Sequence, residues 1–300
     1  MRFESRCCFG IEGRFKTKLH GFQLPQRTIR KSLMPELPEV NTKKLNFDRV
    51  ALHKKIEKVE LRETNHIFRN ITGEAFAKKM KGRKFTSSYR RGKYLFAHLD
   101  NGHDVLFHFG MTGEFYIYEE GDQHPKHERF AFLFPDGQRL GFDCPRKLAH
   151  IYYLENKDEF IHEKKLGEDA LEISEEAFLE KMEGKTGTIK GFFLNQSNLA
   201  GMGNLYADEV CWQVRIHPAS LLPALDDVTR RELYRCMQAI LQQAIINKAD
   251  YANYPDEWLW NHRDKGGTCP RDGHELERDK VAGRSTYYCP QCQELRGAQG

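Results

Sequence analysis

The sequence predicts an α+β protein of two domains followed by a small metal-binding module. Three observations carry this prediction. Short apolar segments punctuated by turns run from about residue 56 to 154, and helical spacing of apolar residues runs from about 174 to 246. Cysteine and histidine gather after residue 262. A chain of 300 residues with 39% apolar and 30% charged side chains can bury a sizeable core, which excludes a disordered protein. Its longest apolar runs, such as Phe130-Ala131-Phe132-Leu133-Phe134, fall far short of the roughly 20 residues a membrane span needs.

The first 33 residues stand apart. They hold eight Lys/Arg against two acids, a net +6, while the whole chain is +4. The remainder therefore carries −2, and any nucleic-acid footprint on it must be a local basic face. The leader lacks the continuous apolar core of a secretory signal. It reads either as an upstream extension from a misplaced start codon or as a targeting peptide that is cleaved, and in neither case as part of the mature protein. A reducing intracellular compartment is expected: cytoplasm or nucleoid in a bacterium, with organelle targeting as the alternative. There, clustered cysteines are metal ligands before they are disulfides.

From Met34 the character changes. Residues 36–52 place Leu37, Val40, Leu45 and Val50 among polar residues, with Pro38 and two acids near the start, as a helix beginning requires. A mostly antiparallel β domain follows, with strands expected at 94–99, 105–109, 114–118, 130–134, 139–142 and 151–154. Asn101-Gly102 and Asp136-Gly137 supply hairpin turns between them. Helices are expected at 174–179, 188–194, 204–214 and 228–246, and the glycine-bracketed turn Gly201-Met202-Gly203 runs into the third. The domains are drawn at 34–160, 161–261 and 262–300.

In the last module Cys269, His274, Cys289 and Cys292 read C-x4-H-x14-C-x2-C. Two close pairs separated by a hairpin's length can converge on one tetrahedral ion, and four protein ligands leave no open position, so one structural zinc is expected. The fourth ligand is His274 or Asp272, with nitrogen the better match to the other donors.

Met34-Pro35-Glu36-Leu37-Pro38-Glu39-Val40, with Arg90-Arg91-Gly92-Lys93-Tyr94-Leu95, His108-Phe109-Gly110-Met111-Thr112-Gly113 and Gly201 through Glu209, resembles the formamidopyrimidine-DNA glycosylase/endonuclease VIII family of base-excision repair enzymes. So does Val281 through Cys289, and the resemblance covers residues 34–296. It implies an N-terminal helix with an antiparallel β-sandwich, a helix-two-turn-helix domain and a zinc-finger β-hairpin, acting on damaged double-stranded DNA; a monomer suits wrapping around one duplex.

The resemblance also implies roles. Removal of the methionine would leave Pro35 as an amino-terminal secondary amine, whose pKa of about 8 keeps roughly a tenth of it neutral at pH 7. That amine attacks C1′ of the damaged nucleotide, and the resulting imine decays by β- and δ-elimination. Glu36 is the proton shuttle to the sugar ring oxygen. Lys93 matches the lysine that holds phosphate near the proline, and Asn204 and Arg284 match phosphate ligands. Lys190 is a further phosphate candidate. Met111 and Arg146 match residues that fill the void left by a flipped base, and Leu148 stands where many relatives carry phenylalanine.

The sequence departs from the family pattern in three places. Pro35 is internal in the chain as written, and C-x4-H replaces the commoner C-x2-C. Residues 248–267 are shorter than in relatives that close a loop over oxidised guanine, so formamidopyrimidines and oxidised pyrimidines are expected as substrates at least as much as 8-oxoguanine. The alternative to an enzyme is a silent damaged-DNA-binding protein whose amino terminus stays blocked.

Overall fold

The computed structural model describes residues 34–62 and 66–297; the basic leader, residues 1–33, lies outside the described residues. Helix α1 (Leu37–Ala51) begins with Pro38 in its first turn and Glu39 near its positive end. Val40, Phe47 and Val50 on its inner face are buried against the β domain.

That domain contains β1 (Lys58–Leu61), α2 (Gly73–Met80), β2 (Phe85–Arg91), β3 (Tyr94–Leu99), β4 (Asp104–His108), β5 (Glu114–Glu119), β6 (Glu128–Leu133), β7 (Gln138–Asp143) and β8 (His150–Leu154). The strands form two antiparallel four-stranded sheets, ordered β1-β6-β7-β5 and β2-β3-β4-β8. Between them lies an aromatic core in which Phe130 stacks on Phe142 at 5.3 Å and Phe85 meets Phe132 edge-on at 5.4 Å. Each such fully buried side chain contributes roughly 2–3 kcal/mol. The hairpin turns fall where the dipeptides predict them, at Asn101-Gly102 between β3 and β4 and at Asp136-Gly137 between β6 and β7.

The structure adds a second helix to the domain. Thr72 caps α2 by accepting the Ala75 N–H at 3.2 Å, and Phe76 and Met80, four residues apart, reach the core. Helix α3 (Lys157–Glu163), also not expected, is capped by Asn156 and lays Phe160 on the outer face of β3 and β4, against Phe96.

The helical part comprises β9 (Glu168–Asp169), α4 (Glu175–Met182), α5 (Ile189–Leu194), β10 (Leu199–Ala200), α6 (Asn204–Gln213) and α7 (Asp227–Ile246). Its core includes Phe178, Phe193, Tyr206, Leu233 and Leu241 and takes in Leu37 from α1. The Leu37 N–H also donates to the Gly201 carbonyl at 3.1 Å, so the start of α1 is shared between the two parts. Strands β11 (Glu277–Val281) and β12 (Arg284–Tyr288) form the terminal hairpin. Among the described residues no helix is long and apolar enough to cross a membrane.

Candidate active site and metal centre

The site gathers at the first turn of α1. Glu36 is buried, and its carboxylate lies on the N-terminus of α6, accepting the Leu205 N–H at 2.8 Å and facing the Tyr206 N–H at 3.5 Å. Unpaired N–H groups and the positive helix end favour an anion there. Burial outweighs them. It lifts the Glu36 carboxyl to about 7, with the Glu39 charge adding to the rise and Lys93 opposing it.

Gly203 makes this seat possible. A Cβ at that position would overlap the Glu36 carboxyl group. The Gly203→Ala protein is therefore expected to lose about 1–3 kcal/mol of stability and to displace the carboxylate. Thermal denaturation beside Glu36→Gln/Gly203→Ala checks this, since the double variant should recover little of the loss.

Lys93 stands in the turn between β2 and β3. Asp169, fully buried on β9, holds that turn: it accepts the Arg90 guanidinium at 2.5 and 2.9 Å and the Gly92 N–H at 2.6 Å. Gly92 has φ +57°, and a Cβ there would come within 2.6 Å of the Gly201 nitrogen, so only glycine lets the turn press on the α6 entry. Burial holds the Lys93 ammonium below the usual lysine range, Glu36 and Glu39 pull it back up, and Arg284 pushes it down again. Lys93 thus shares one electrostatic environment with both carboxylates and with the arginine that opens β12.

Asn204 opens α6. Its Nδ2 donates to the Ser285 carbonyl at 2.9 Å, while its buried Oδ1 has no partner. Arg284 is exposed at the first position of β12, beside the hairpin turn.

Met111, Arg146 and Leu148 come together by register. In the β2-β3-β4-β8 sheet Tyr94 pairs with His108 and His108 with His150, so the residues just past these pairs lie at the end of the sheet that carries Lys93. Gly110, at φ +60°, packs directly on the Leu148 carbonyl, and the Arg146 N–H donates to Thr112 Oγ1 at 3.3 Å. Leu148 and Arg146 are exposed and Met111 is half-buried.

Lys190 requires correction as a phosphate ligand. It is completely buried, with Nζ 2.6 Å from Asp208 Oδ1 and 2.6 Å from Thr286 Oγ1. Asp208 Oδ2 takes Arg263 at 2.6 Å and the Tyr287 N–H at 3.2 Å. Lys190 and Asp208 therefore bolt the terminal hairpin to α5 and α6.

The metal ligand set is corrected too. The donor atoms of Cys269, Asp272, Cys289 and Cys292 all lie within 4.8 Å of one another, and His274 is not among them. The reason is local. Gly273 N–H donates to the Cys269 carbonyl and Cys269 N–H to the His274 carbonyl at 2.7 Å, a tight turn that returns residue 272 to Cys269. The His274 side chain is left 56% exposed, with Nδ1 3.4 Å from Asp272. Cys269 Sγ and Cys292 Sγ are 3.8 Å apart, and Cys289 Sγ is 3.3 Å from Asp272 Oδ2. A tetrahedral zinc with bonds of about 2.3 Å to sulfur needs an S–S edge of about 3.8 Å, so three thiolates and one carboxylate fit that ion.

Sequence reasoning missed Asp169, Asp208 and Gly203. Asp169 carries no motif of its own, and Asp208 and Gly203 both belong to the quoted stretch Gly201 through Glu209 without a stated role there.

Comparison with known proteins follows the same division of the chain. A model of the formamidopyrimidine-DNA glycosylase N-terminal domain matches residues 34–151, one of the formamidopyrimidine-DNA glycosylase H2TH domain matches 166–256, and one of a zinc finger found in FPG and IleRS matches 266–295. The formamidopyrimidine-DNA glycosylase of Heliobacterium modesticaldum is 34% identical over 281 residues, covering 87% of this chain and 100% of that one. The Arabidopsis thaliana protein of the same name is 31% identical over 280 residues, covering 88% and 72%. Among solved structures, Lactococcus lactis Fpg bound to abasic-site DNA superimposes with a TM-score of 0.76 at 27% identity, covering 86% of this chain and 99% of that one. The same protein with a Fapy-dG-containing DNA gives 0.76 and 27%, covering 86% and 100%.

Proposed function

The chain belongs to the formamidopyrimidine-DNA glycosylase family, and from that premise we propose a bifunctional DNA glycosylase and abasic-site lyase that works through the nitrogen of Pro35. The observation that carries the reading is Glu36: the residue next in the chain after that proline, its carboxyl group buried on a helix N-terminus and poised near 7.

Pro35 as a neutral terminal amine bonds to C1′ of the damaged nucleotide. The glycosidic bond breaks with its electron pair going to the base, which takes up the amine proton. Glu36 then gives its proton to the ring oxygen as the C1′–O4′ bond opens, leaving an iminium that drains by β- and δ-elimination. Lys93 and Arg284 supply positive charge for the phosphates around the opened sugar, and the Asn204 Nδ2 donor and the backbone N–H groups of the α6 start complete the grip. Met111, Arg146 and Leu148, projecting from the same sheet end, fill the helix once the base is extruded. Oxidised bases, formamidopyrimidines and pyrimidines included, are the substrates, and the protein acts as an intracellular monomer. Borohydride trapping on such a duplex tests the reading.

One structural zinc, held by Cys269, Cys289, Cys292 and Asp272, orders the hairpin that carries Arg284. Chelation is expected to weaken binding to damaged duplex more than tenfold while the β-sandwich, with its own aromatic core, still melts cooperatively. Fluorescence anisotropy with parallel circular-dichroism melting checks this, and normal binding by metal-free protein would refute it.

A further inference from the structure

Residues 248–267, short as they are, contribute a group of aromatic side chains beneath the catalytic turn. Glu39, one helical turn along from Glu36, turns its carboxylate back across the start of α1. Its Oε2 accepts the Glu36 N–H at 2.9 Å, the peptide nitrogen next in the chain after Pro35. Its Oε1 accepts two phenolic hydroxyls, Tyr206 from α6 and Tyr251 from the segment after α7, each at 2.8 Å. Tyr254 closes the group, its hydroxyl 2.6 Å from that of Tyr206.

The rings are fixed as well as the hydroxyls. Tyr206 is completely buried, Tyr251 packs on Trp260 with centroids 4.3 Å apart, and Tyr254 packs on Tyr251 and Trp258. A tyrosine here has no packing reason to be preferred to phenylalanine except its hydroxyl, and both hydroxyls that reach Glu39 go to the same oxygen.

We propose that Tyr206 and Tyr251 are positioning residues for the reaction at Pro35: their hydroxyls brace the Glu39 carboxylate against the Pro35–Glu36 peptide, and through it set the direction in which the proline nitrogen and the Glu36 carboxyl face the sugar. The inference rests on the catalytic reading above and deepens it. It assigns to the segment between α7 and the metal module a place under the nucleophile. The charged and titratable groups facing Glu39 and its brace are Glu36 on the same turn, Lys93 from the β2–β3 turn, Tyr206 from α6, and Tyr251 and Tyr254, with Asp250 beside the last. Burial first, and then the Glu39 charge, push the Tyr206, Tyr251 and Tyr254 phenols up, so that they stay neutral donors.

Two readouts test the brace in the form beginning at Pro35. In Tyr251→Phe the ring stack on Trp260 is kept and only the hydroxyl is lost. Single-turnover excision from a duplex carrying a formamidopyrimidine is expected to slow about 10-fold, and up to about 100-fold in Tyr206→Phe/Tyr251→Phe, with affinity for the duplex within about twofold of wild type. Because a loosened Glu39 acts less on Glu36, the alkaline limb of the excision profile should move to lower pH by about half a unit. Carbon-13 NMR of the Glu36 carboxyl in DNA-free protein should show the same downward move, with no substrate involved.

If excision occurs and neither the rate nor the Glu36 midpoint responds to Tyr251→Phe, the brace is wrong. A loss confined to affinity overturns it equally. If wild type shows no excision while the Glu36 midpoint still moves, the brace stands and the catalytic reading falls.

Discussion

The polypeptide that begins at Pro35 is expected to become covalently fixed to damaged duplex when borohydride is present, and the 300-residue chain to give about a hundredth of that signal or less. The difference lies in one nitrogen. Within the chain, Pro35 nitrogen is an amide whose lone pair is delocalised into the carbonyl, and it cannot attack carbon. As a terminus it is a secondary amine with a pKa near 8, neutral in a useful fraction at pH 7. The next residue, Glu36, shares its electrostatic environment with Lys93, whose own ammonium is held below the usual range. Gel mobility of the trapped adduct, with intact-mass measurement of each protein's first residue, gives the result. Equal trapping by both forms would show that another amine is the nucleophile. Trapping by neither would favour the silent damage-binding alternative.

Glu36→Gln is expected to slow excision by about 10²–10⁴-fold while making the protein more stable above neutrality. The stability sign follows from proton binding. The unfolded carboxyl ionises near 4.5 and the folded one near 7, so between those values the native state holds a proton the unfolded chain has lost. Stability contributed by Glu36 is therefore full below about pH 4.5, declines through the interval and is gone above about pH 7. Glutamine does not titrate. The variant should match wild type near pH 4 and exceed it by up to about 3 kcal/mol at pH 8, as urea denaturation across that range would read. Glu209 is also buried and lifted to about 7, but it is present in both proteins and cancels in the difference. A variant no more stable than wild type at pH 8 would mean that Glu36 is solvated in the folded protein and unsuited to hold a proton there.

Much of this molecule was readable in advance where a short stretch of chain determines its own geometry. The α1 start needs only Pro38 and Glu39 in sequence, the hairpins need only Asn101-Gly102 and Asp136-Gly137, and strands such as β3 follow from runs of apolar residues. The candidate catalytic turn could be singled out because Pro35 and Glu36 are neighbours. Helix α2 escaped notice because its eight residues are embedded among strands, and its reason for being helical is a Thr72 cap together with two side chains that fill a gap in the sandwich.

The sequence by itself singled out the candidates for chemistry: a proline that can be a terminus, an acid beside it, basic residues in turns and three cysteines in metal-binding spacing. Only the tertiary structure decided which of them face outward and which are spent on structure. Lys93 and Lys190 are the same side chain, yet Asp169 from 79 residues beyond Arg90 holds the turn that presents the first, while Asp208 and Thr286 bury the second. Asp272 displaces His274 because a tight turn returns it to Cys269, and Glu39 meets Tyr251 across 212 residues. The physical reason is common to all three: a charge or a donor is assigned its partner by burial, and burial depends on which distant segments pack together, information that no local spacing contains.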